Sequence, residues 1–333
     1  MNKHNIHTLA SLAGVSAATV SRVLNGNPQV KPHLKEKVLH ALEETGFRPD
    51  PKAQSLRAGK TRTISVILPM IDTDFYHRLL HSMEPVFDEA GYDMALFPLV
   101  GGFRVKKYQD PTSLPYHGDA LILASLDPDK LYANHEVPFR KPITLVDTHH
   151  QHYHSFSIHN HQAGKLAAQH LLLNREPIVL IGLRQDEAGP FASPVFEERM
   201  EGIQQGLQEQ GRTLAGTLLV DELGTEGGRQ AARLWLEQHP GPCQFLCLAD
   251  TLALGVKRHL QERHLECRVI GFDDHPFAAT ESLTSIKQPI EQMGEMAARH
   301  VIQQLRGEVY TLQSTVLTPT LKIRQSSRLW THP

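Results

Sequence analysis

Apolar residues recur at helical spacing at the start of the chain and in strand-like runs beyond it. In IHTLASLAGVSAATVSRVLN, residues 6 to 25, Ile6, Leu9, Ala10 and Ala13 mark one face of a first helix. Gly14 falls where a helix stops or the backbone takes a positive φ. Ser16 occupies an N-cap position, its hydroxyl oxygen placed to accept an amide proton from the next turn. In the second helix Val20 and Leu24 are expected to point inward, leaving Ala17, Ala18, Ser21, Arg22 and Asn25 on or near the other face. After a polar loop at Gly26, Asn27 and Pro28, KPHLKEKVLHALEETGF predicts a third helix with Leu34, Val38, Ala41 and Leu42 buried. Pro32 suits its first turn and Gly46 ends it. Residues 1–48 therefore read as an all-α headpiece.

Residues 49–60, PDPKAQSLRAGK, read as a linker with a helix-compatible centre from Lys52 to Arg57. So short a helix is not stable alone in water, because nucleation is costly. From Thr61 the pattern changes. Apolar runs TISVILPM, DALILAS, ITLVD, PIVLIGL, QFLCLAD and CRVIGFDD alternate with helical stretches such as HRLLHSMEPVFDEAGY and VFEERMEGIQQGLQEQG. Such alternation predicts an α/β core of parallel, doubly wound sheets, and the length suits two of them. Ligands of such folds sit beyond the carboxyl ends of the strands. That rule marks Pro69 to Tyr76, Asp147, Asp250 and Asp273.

Charge sharpens this division. Residues 1–60 hold nine Lys/Arg against four Asp/Glu, and the remainder holds 25 against 32. A basic module on an acidic body fits contact with a polyanion at one end. On the second helix, small Ala17 and Ala18 would let the backbone approach base edges, and Arg22 could bond guanine or hold a phosphate. An ordinary helical hairpin has the same spacing. No apolar run is long enough to span a membrane, and MNKHNIHTLA has no apolar signal core, so a cytoplasmic location is expected. Cys243, Cys247 and Cys267 are too few for a disulfide framework and fit buried thiols in a reducing compartment.

Taken as an ordered set, the motifs resemble the lactose-repressor (LacI/GalR) family of bacterial transcription regulators. LAGVSAATVSRVLNG, Val30, Arg48-Pro49 and AQSLRAGKT carry the likeness in the headpiece and linker. RMEGI, LADTLALG, VIGFDD, LTSIKQP and then Met293-Gly294 carry it through the core. The resemblance implies a helix-turn-helix headpiece over 1–48, a hinge helix over 49–60, and a periplasmic-binding-protein-like core over 61–333. Its N-subdomain would comprise about 61–155 and 284–313, and its C-subdomain about 156–283 and 314–330. A homodimer or tetramer on a pseudopalindromic operator in double-stranded DNA is implied, with repression the family default. Contacts to DNA would come from Asn5, Ser16, Ala17, Ala18, Thr19, Ser21, Arg22 and Asn25, and from Ala53 and Leu56 in the hinge. Leu56 would wedge into the minor groove.

The same resemblance implies a small-molecule effector, a sugar or related metabolite, between the two subdomains. Phe75, Asp147, Arg199, Asp250, Asp273 and Gln288 would bind it, with no cofactor and no resident metal. On spacing alone, Arg199 reads more simply as an exposed helix arginine paired with Glu198 or Glu201. The chain departs from the family in one loop, GGFRVKKYQDPTSLPYHG, atypical for the second crossover, whose Arg104, Lys106 and Lys107 read as a solvated basic face, and at three further places. Ala249-Asp250 replaces a common Asn-Asp. DELGTEGG offers only Leu223 where an aromatic often stacks. His159-Asn160 replaces Asp-Asn. These departures disfavour an ordinary hexose and leave nucleobase, anionic or metal effectors open.

The chain has 21 histidines, six of them at 149, 150, 152, 154, 159 and 161. They read as a polar crossover loop, with metal binding the sharper alternative. An enzyme would need a nucleophile elbow, phosphate loop or metal triad, and none is evident. An exported solute-binding protein would share the two-lobed core but not the headpiece.

Overall fold

The computed structural model describes residues 6–24, 29–46, 60–71, 73–99, 102–132, 136–184, 194–308 and 311–328. Residues up to Thr61 form one compact unit and those from Arg62 onward another. Asn5, Asn25, Ala53, Leu56 and nearly all of the 49–60 linker lie outside the described residues.

The first unit contains α1 (Ile6–Ala13), α2 (Ala17–Leu24) and α3 (Pro32–Thr45). Leu9, Ala10, Ala13, Val20, Val23, Val38 and Ala41 form its core. Val23 takes the buried place expected of Leu24; Leu24, Leu34 and Leu42 are half-buried. Gly14 turns the chain with a φ of 64°, and the Val15 amide donates back to the Ala10 carbonyl at 3.0 Å. An L side chain is disfavoured at that φ, which explains the glycine.

The second unit holds two six-stranded sheets. The N-subdomain sheet contains β1 (Thr63–Leu68), β2 (Asp93–Pro98), β3 (Ala120–Ala124), β4 (Ile143–Val146), β5 (His154–Ile158) and β11 (Ser314–Leu317), in the order β11-β5-β4-β3-β1-β2. The C-subdomain sheet contains β6 (Ile178–Leu183), β7 (Gly216–Val220), β8 (Gln244–Cys247), β9 (Arg268–Phe272), β10 (Thr284–Lys287) and β12 (Thr320–Lys322), in the order β12-β10-β9-β8-β6-β7. Every pairing is parallel except that of β12 with β10. Ile64, Val66, Leu121, Ile122, Leu180 and Leu246 are wholly buried, as central strands covered on both faces require. Each such side chain contributes about 1.5–3 kcal/mol by leaving water.

The helices that matter to the cleft are α4 (Asp74–Glu89), α5 (Gly102–Tyr108), α6 (Pro128–Leu131), α7 (Asn160–Leu171) and α8 (Pro194–Gln208). They are followed by α9 (Thr225–Gln238), α10 (Asp250–Glu262), α11 (Pro276–Thr280) and α12 (Ile290–Arg306). The stretch expected as an atypical loop contains α5, whose Arg104, Lys106 and Lys107 are exposed. Two expectations are corrected. The histidine-rich segment is not all loop, because His154–Ile158 is strand β5 with Phe156 and Ile158 buried. The chain crosses between sheets after β5, β10 and β11, a few residues beyond each boundary expected from sequence. Each crossing waits until its strand has finished pairing, so β10 belongs to the C-subdomain sheet and β11 to the N-subdomain sheet.

Candidate functional site

A cavity of about 100 Å³ lies between the subdomains, beyond the carboxyl ends of their strands. The end of β1 leads to Pro69, Met70, Thr73, Phe75 and Tyr76 at its wall; β3 supplies Ser125 and β4 supplies Asp147. From the other sheet come Leu183 at the end of β6, Leu248 and Ala249 after β8, Asp273 after β9 and Gln288 after β10. Helix α8 adds Val195, Phe196 and Arg199.

The polar groups form one connected set. Arg199 is 3 % exposed, and its Nε donates to Asn160 Oδ1 at 3.0 Å. Its Nη1 lies 4.0 Å from Asp273 Oδ1, and its guanidinium sits 4.9 Å from the centre of the Phe272 ring. Gln288 Nε2 donates to Asp273 Oδ1, and Ser125 Oγ donates to Asp147 Oδ2 at 2.6 Å. Asp147 Oδ1 and Gln288 Oε1 are buried and have no hydrogen-bond partner among the described residues. Burial pushes the Asp147 carboxyl up to about 7, against the lowering effects of Arg199 and the Ser125 hydroxyl. Burial also raises Asp273, again opposed by Arg199 and by the Gln288 amide.

Both aspartates sit at positive φ, 59° for Asp147 and 100° for Asp273. Ordinary residues avoid that region, and such positions gather at functional loops. Helix α8 is brought against α7 by two glycines. A Cβ at Gly164 would collide with the Arg199 carbonyl oxygen, and one at Gly202 with the His161 carbonyl oxygen. That close crossing places Arg199 within reach of Asn160.

Phe75, Asp147, Arg199, Asp273 and Gln288 all meet at this cavity. The reading of Arg199 as an exposed arginine paired with Glu198 or Glu201 is overturned by its burial and its bond to Asn160. Asp250 is not part of the cavity wall. It opens α10, 1 % exposed, and its Oδ2 accepts the His275 amide at 2.7 Å. It therefore holds the β9 loop from behind. The strand-end rule finds Ser125, which closes DALILAS, if applied to that run as well. Phe196 lies three residues before Arg199, the spacing that puts two side chains on one helical face.

In the headpiece, the Thr19 amide donates to Ser16 Oγ at 3.1 Å, so Ser16 caps α2. Ala18 and Arg22 are exposed one turn apart, while Ala17, Thr19 and Ser21 are half-buried. Among the clustered histidines, His149 Nδ1 is 3.9 Å from Glu198, His150 Nε2 is 3.3 Å from Asp129 while its Nδ1 accepts the His152 amide at 3.2 Å, and His154 packs on His300.

A headpiece with an exposed, capped second helix and a two-sheet core with a cleft beyond its strand ends define a ligand-cleft DNA-binding regulator as the class. Residues 5–50 match the model of bacterial regulatory proteins of the lacI family, and residues 169–327 match a periplasmic binding protein-like domain. Catabolite control protein A of Priestia megaterium is 28 % identical over 97 % of this chain and 99 % of its own length. A solved probable transcription regulator from Thermus thermophilus is 35 % identical, covering 80 % of this chain and 98 % of that one with a TM-score of 0.67. The lac repressor dimer bound to operator and the anti-inducer ONPF has the same fold, with 22 % identity, coverage of 97 % and 99 %, and a TM-score of 0.82. The chain belongs to the lacI family of DNA-binding transcriptional regulators. Among the described residues, no helix is long and apolar enough to cross a membrane.

Proposed function

We propose that this regulator is a repressor whose hold on DNA is set by a small hydroxyl-bearing effector bound between its two core subdomains. The observation that supports this reading is the pair of buried acceptor atoms at the cavity, Asp147 Oδ1 and Gln288 Oε1. Buried acceptors without partners cost free energy, about 1–3 kcal/mol each, unless a donor reaches them. Hydroxyl groups of a sugar-like molecule are such donors. Arg199 supplies the complementary donors, and Phe75, Phe196 and Leu223 supply apolar walls for the carbon skeleton.

In this reading residues 1–48 are the headpiece, 49–60 the hinge, and the remainder the effector and dimerisation core. Two copies bind a pseudopalindromic operator in the cytoplasm, each presenting Ser16, Ala17, Ala18, Thr19, Ser21, Arg22 and Asn25 to the major groove, with Asn5 alongside. Ala53 and Leu56 enter the minor groove as the paired hinges fold. Asp250 acts behind the site rather than on the ligand, and the chain carries out no catalysis. The lac repressor structure, with operator and anti-inducer on one protein, supports the two-site arrangement by likeness of fold.

A thermal-shift screen of sugars, polyols, nucleobases and divalent metal ions tests the effector class, since a ligand that binds only the folded state raises its melting temperature. Stabilisation by a polyhydroxylated compound, lost in Arg199→Ala, is the expected result. Stabilisation by a metal ion or nucleobase instead would refute the sugar-like assignment.

A further inference from the structure

At the end of the C-subdomain sheet away from the cleft, two thiols face each other. Cys243 stands just before β8 and Cys267 just before β9, strands whose register pairs Gln244 with Arg268. The Arg268 amide donates to the Cys243 carbonyl at 3.2 Å, and the two Sγ atoms are 3.7 Å apart. Cys243 is buried in the core formed with Trp235 and Phe245. Cys267 is half-exposed and lines an open groove of about 580 Å³ with Gln261, His264, Glu266 and Ser326. The third thiol, Cys247, is wholly buried within β8. The expectation of three buried thiols therefore holds for two of them.

We propose that Cys243 and Cys267 form a modification site, a dithiol that hydrogen peroxide oxidises to an intramolecular disulfide, with Cys267 attacking and Cys243 resolving. The division of roles follows from the geometry. Only Cys267 opens on the groove, so only it meets a peroxide directly. The Cys243 S–H donates to the Cys267 sulfur, which holds the Cys267 thiol down at about 7, while that bond and burial push Cys243 up. A partly exposed thiolate beside a second thiol is the reactive arrangement.

The chemistry balances in two steps. The Cys267 thiolate attacks one peroxide oxygen, the O–O bond breaks, and a sulfenic acid forms as hydroxide leaves and takes up the Cys267 proton as water. Cys243 sulfur then attacks the Cys267 sulfur, the S–OH bond breaks, and hydroxide leaves with the Cys243 proton as a second water. Two thiols lose two electrons and the peroxide gains them. Neighbouring strands stand about 4.8 Å apart, inside the Cα range of roughly 4.4–6.8 Å that disulfides span. Side-chain rotation alone can therefore close the gap between the sulfurs.

Full-length reduced protein treated with hydrogen peroxide, then alkylated and peptide-mapped, tests this directly. Two of the three thiols should disappear together, the Cys243 and Cys267 peptides should be joined, and Cys247 should remain free to alkylate after unfolding. Cys267→Ser should slow thiol loss by about tenfold or more, because a buried thiol reacts poorly. Cys243→Ser should leave a sulfenic acid on Cys267 that a cyclic-dione reagent traps. The proposal is overturned if wild-type Cys267 is carried to sulfinic acid with no Cys243–Cys267 link. It is equally overturned if all three thiols survive peroxide that oxidises a simple cysteine peptide.

Discussion

Arg78 Nη1 donates to the main-chain oxygen of Asp273 at 3.0 Å, a bond that runs from α4 of one subdomain to the β9 loop of the other. The same guanidinium bonds Glu291 Oε1 through Nε at 2.6 Å and lies 3.5 Å from Asp74. Asp273 in turn carries the carboxylate that accepts from Gln288 at the cavity. A ligand that draws on Asp273 therefore pulls on a loop that α4 holds. Coupling between sites needs a physical connection of this kind together with two states for it to bias.

Arg78→Met keeps an unbranched apolar stem and removes the guanidinium that makes the cross-subdomain bonds. Loss of charge-assisted hydrogen bonds should lower stability by about 1–3 kcal/mol in urea unfolding. The effector-induced change in DNA affinity should shrink about fivefold or more, since coupling free energies are themselves only ~1–3 kcal/mol. A full response in this variant, measured by DNA anisotropy, means that α4 does not transmit the signal.

Asp147 sets a pH dependence. Burial raises its folded-state value to about 7, above the roughly 3.9 of an unfolded aspartate. Between those values the folded chain holds the extra proton, so its contribution to stability is full below about pH 4 and lost as pH rises through 7. Asp147→Asn abolishes that loss. Relative to wild type it should gain stability as pH rises from about 4 to about 7 and hold that gain above, on the order of a few kcal/mol at most. Parallel wild-type and mutant unfolding curves across that range would show that the carboxyl does not titrate there.

Gly202→Ala tests the close crossing of α7 and α8. The added methyl meets the His161 carbonyl oxygen, so the helices must part. Overpacking of this kind costs about 1–3 kcal/mol. Effector affinity should fall with stability, because α8 carries Arg199. A variant as stable as wild type with normal affinity would show that the crossing is slack.

Arg22, exposed on α2, is expected to read one base position in each half-site. Arg22→Ala should relax preference there by about 1–3 kcal/mol. An equal loss over all sequences, with a shallower salt dependence, would make it a phosphate contact instead.

Much of this molecule is legible in its sequence because its elements are strongly periodic. Runs such as TISVILPM and PIVLIGL are buried strands, and helices α1 and α3 carry clear stops at Gly14 and Gly46. The strand-end rule and the family motifs together find nine of the residues that line the cavity: Pro69, Met70, Thr73, Phe75, Tyr76, Asp147, Arg199, Asp273 and Gln288. Other features lie beyond that reach. His154–Ile158 carries too few apolar residues to stand out as a strand, since Ser155 and Ser157 are buried as well. Spacing favoured surface ion pairs for Arg199, because nothing local reveals that α7 presents Asn160 to it. Asp250 ends an apolar run as Asp273 follows one, yet it turns into a helix start and bonds the His275 amide. Which strand-end carboxylate faces the cleft depends on loop conformation, here the positive φ of Asp147 and Asp273.

The central claim is that occupancy of the cleft controls the hold on DNA. It is tested by anisotropy of a labelled DNA fragment, enriched from a random pool on the full-length protein and titrated at fixed salt. The titrant is a hydroxyl-rich compound that raises the melting temperature. Saturating compound should shift the DNA Kd of the wild type by about 5–150-fold. Arg199→Ala should bind the fragment as tightly as wild type without compound and show no shift. An unchanged Kd with the cleft occupied, or the same shift in Arg199→Ala, would contradict the account.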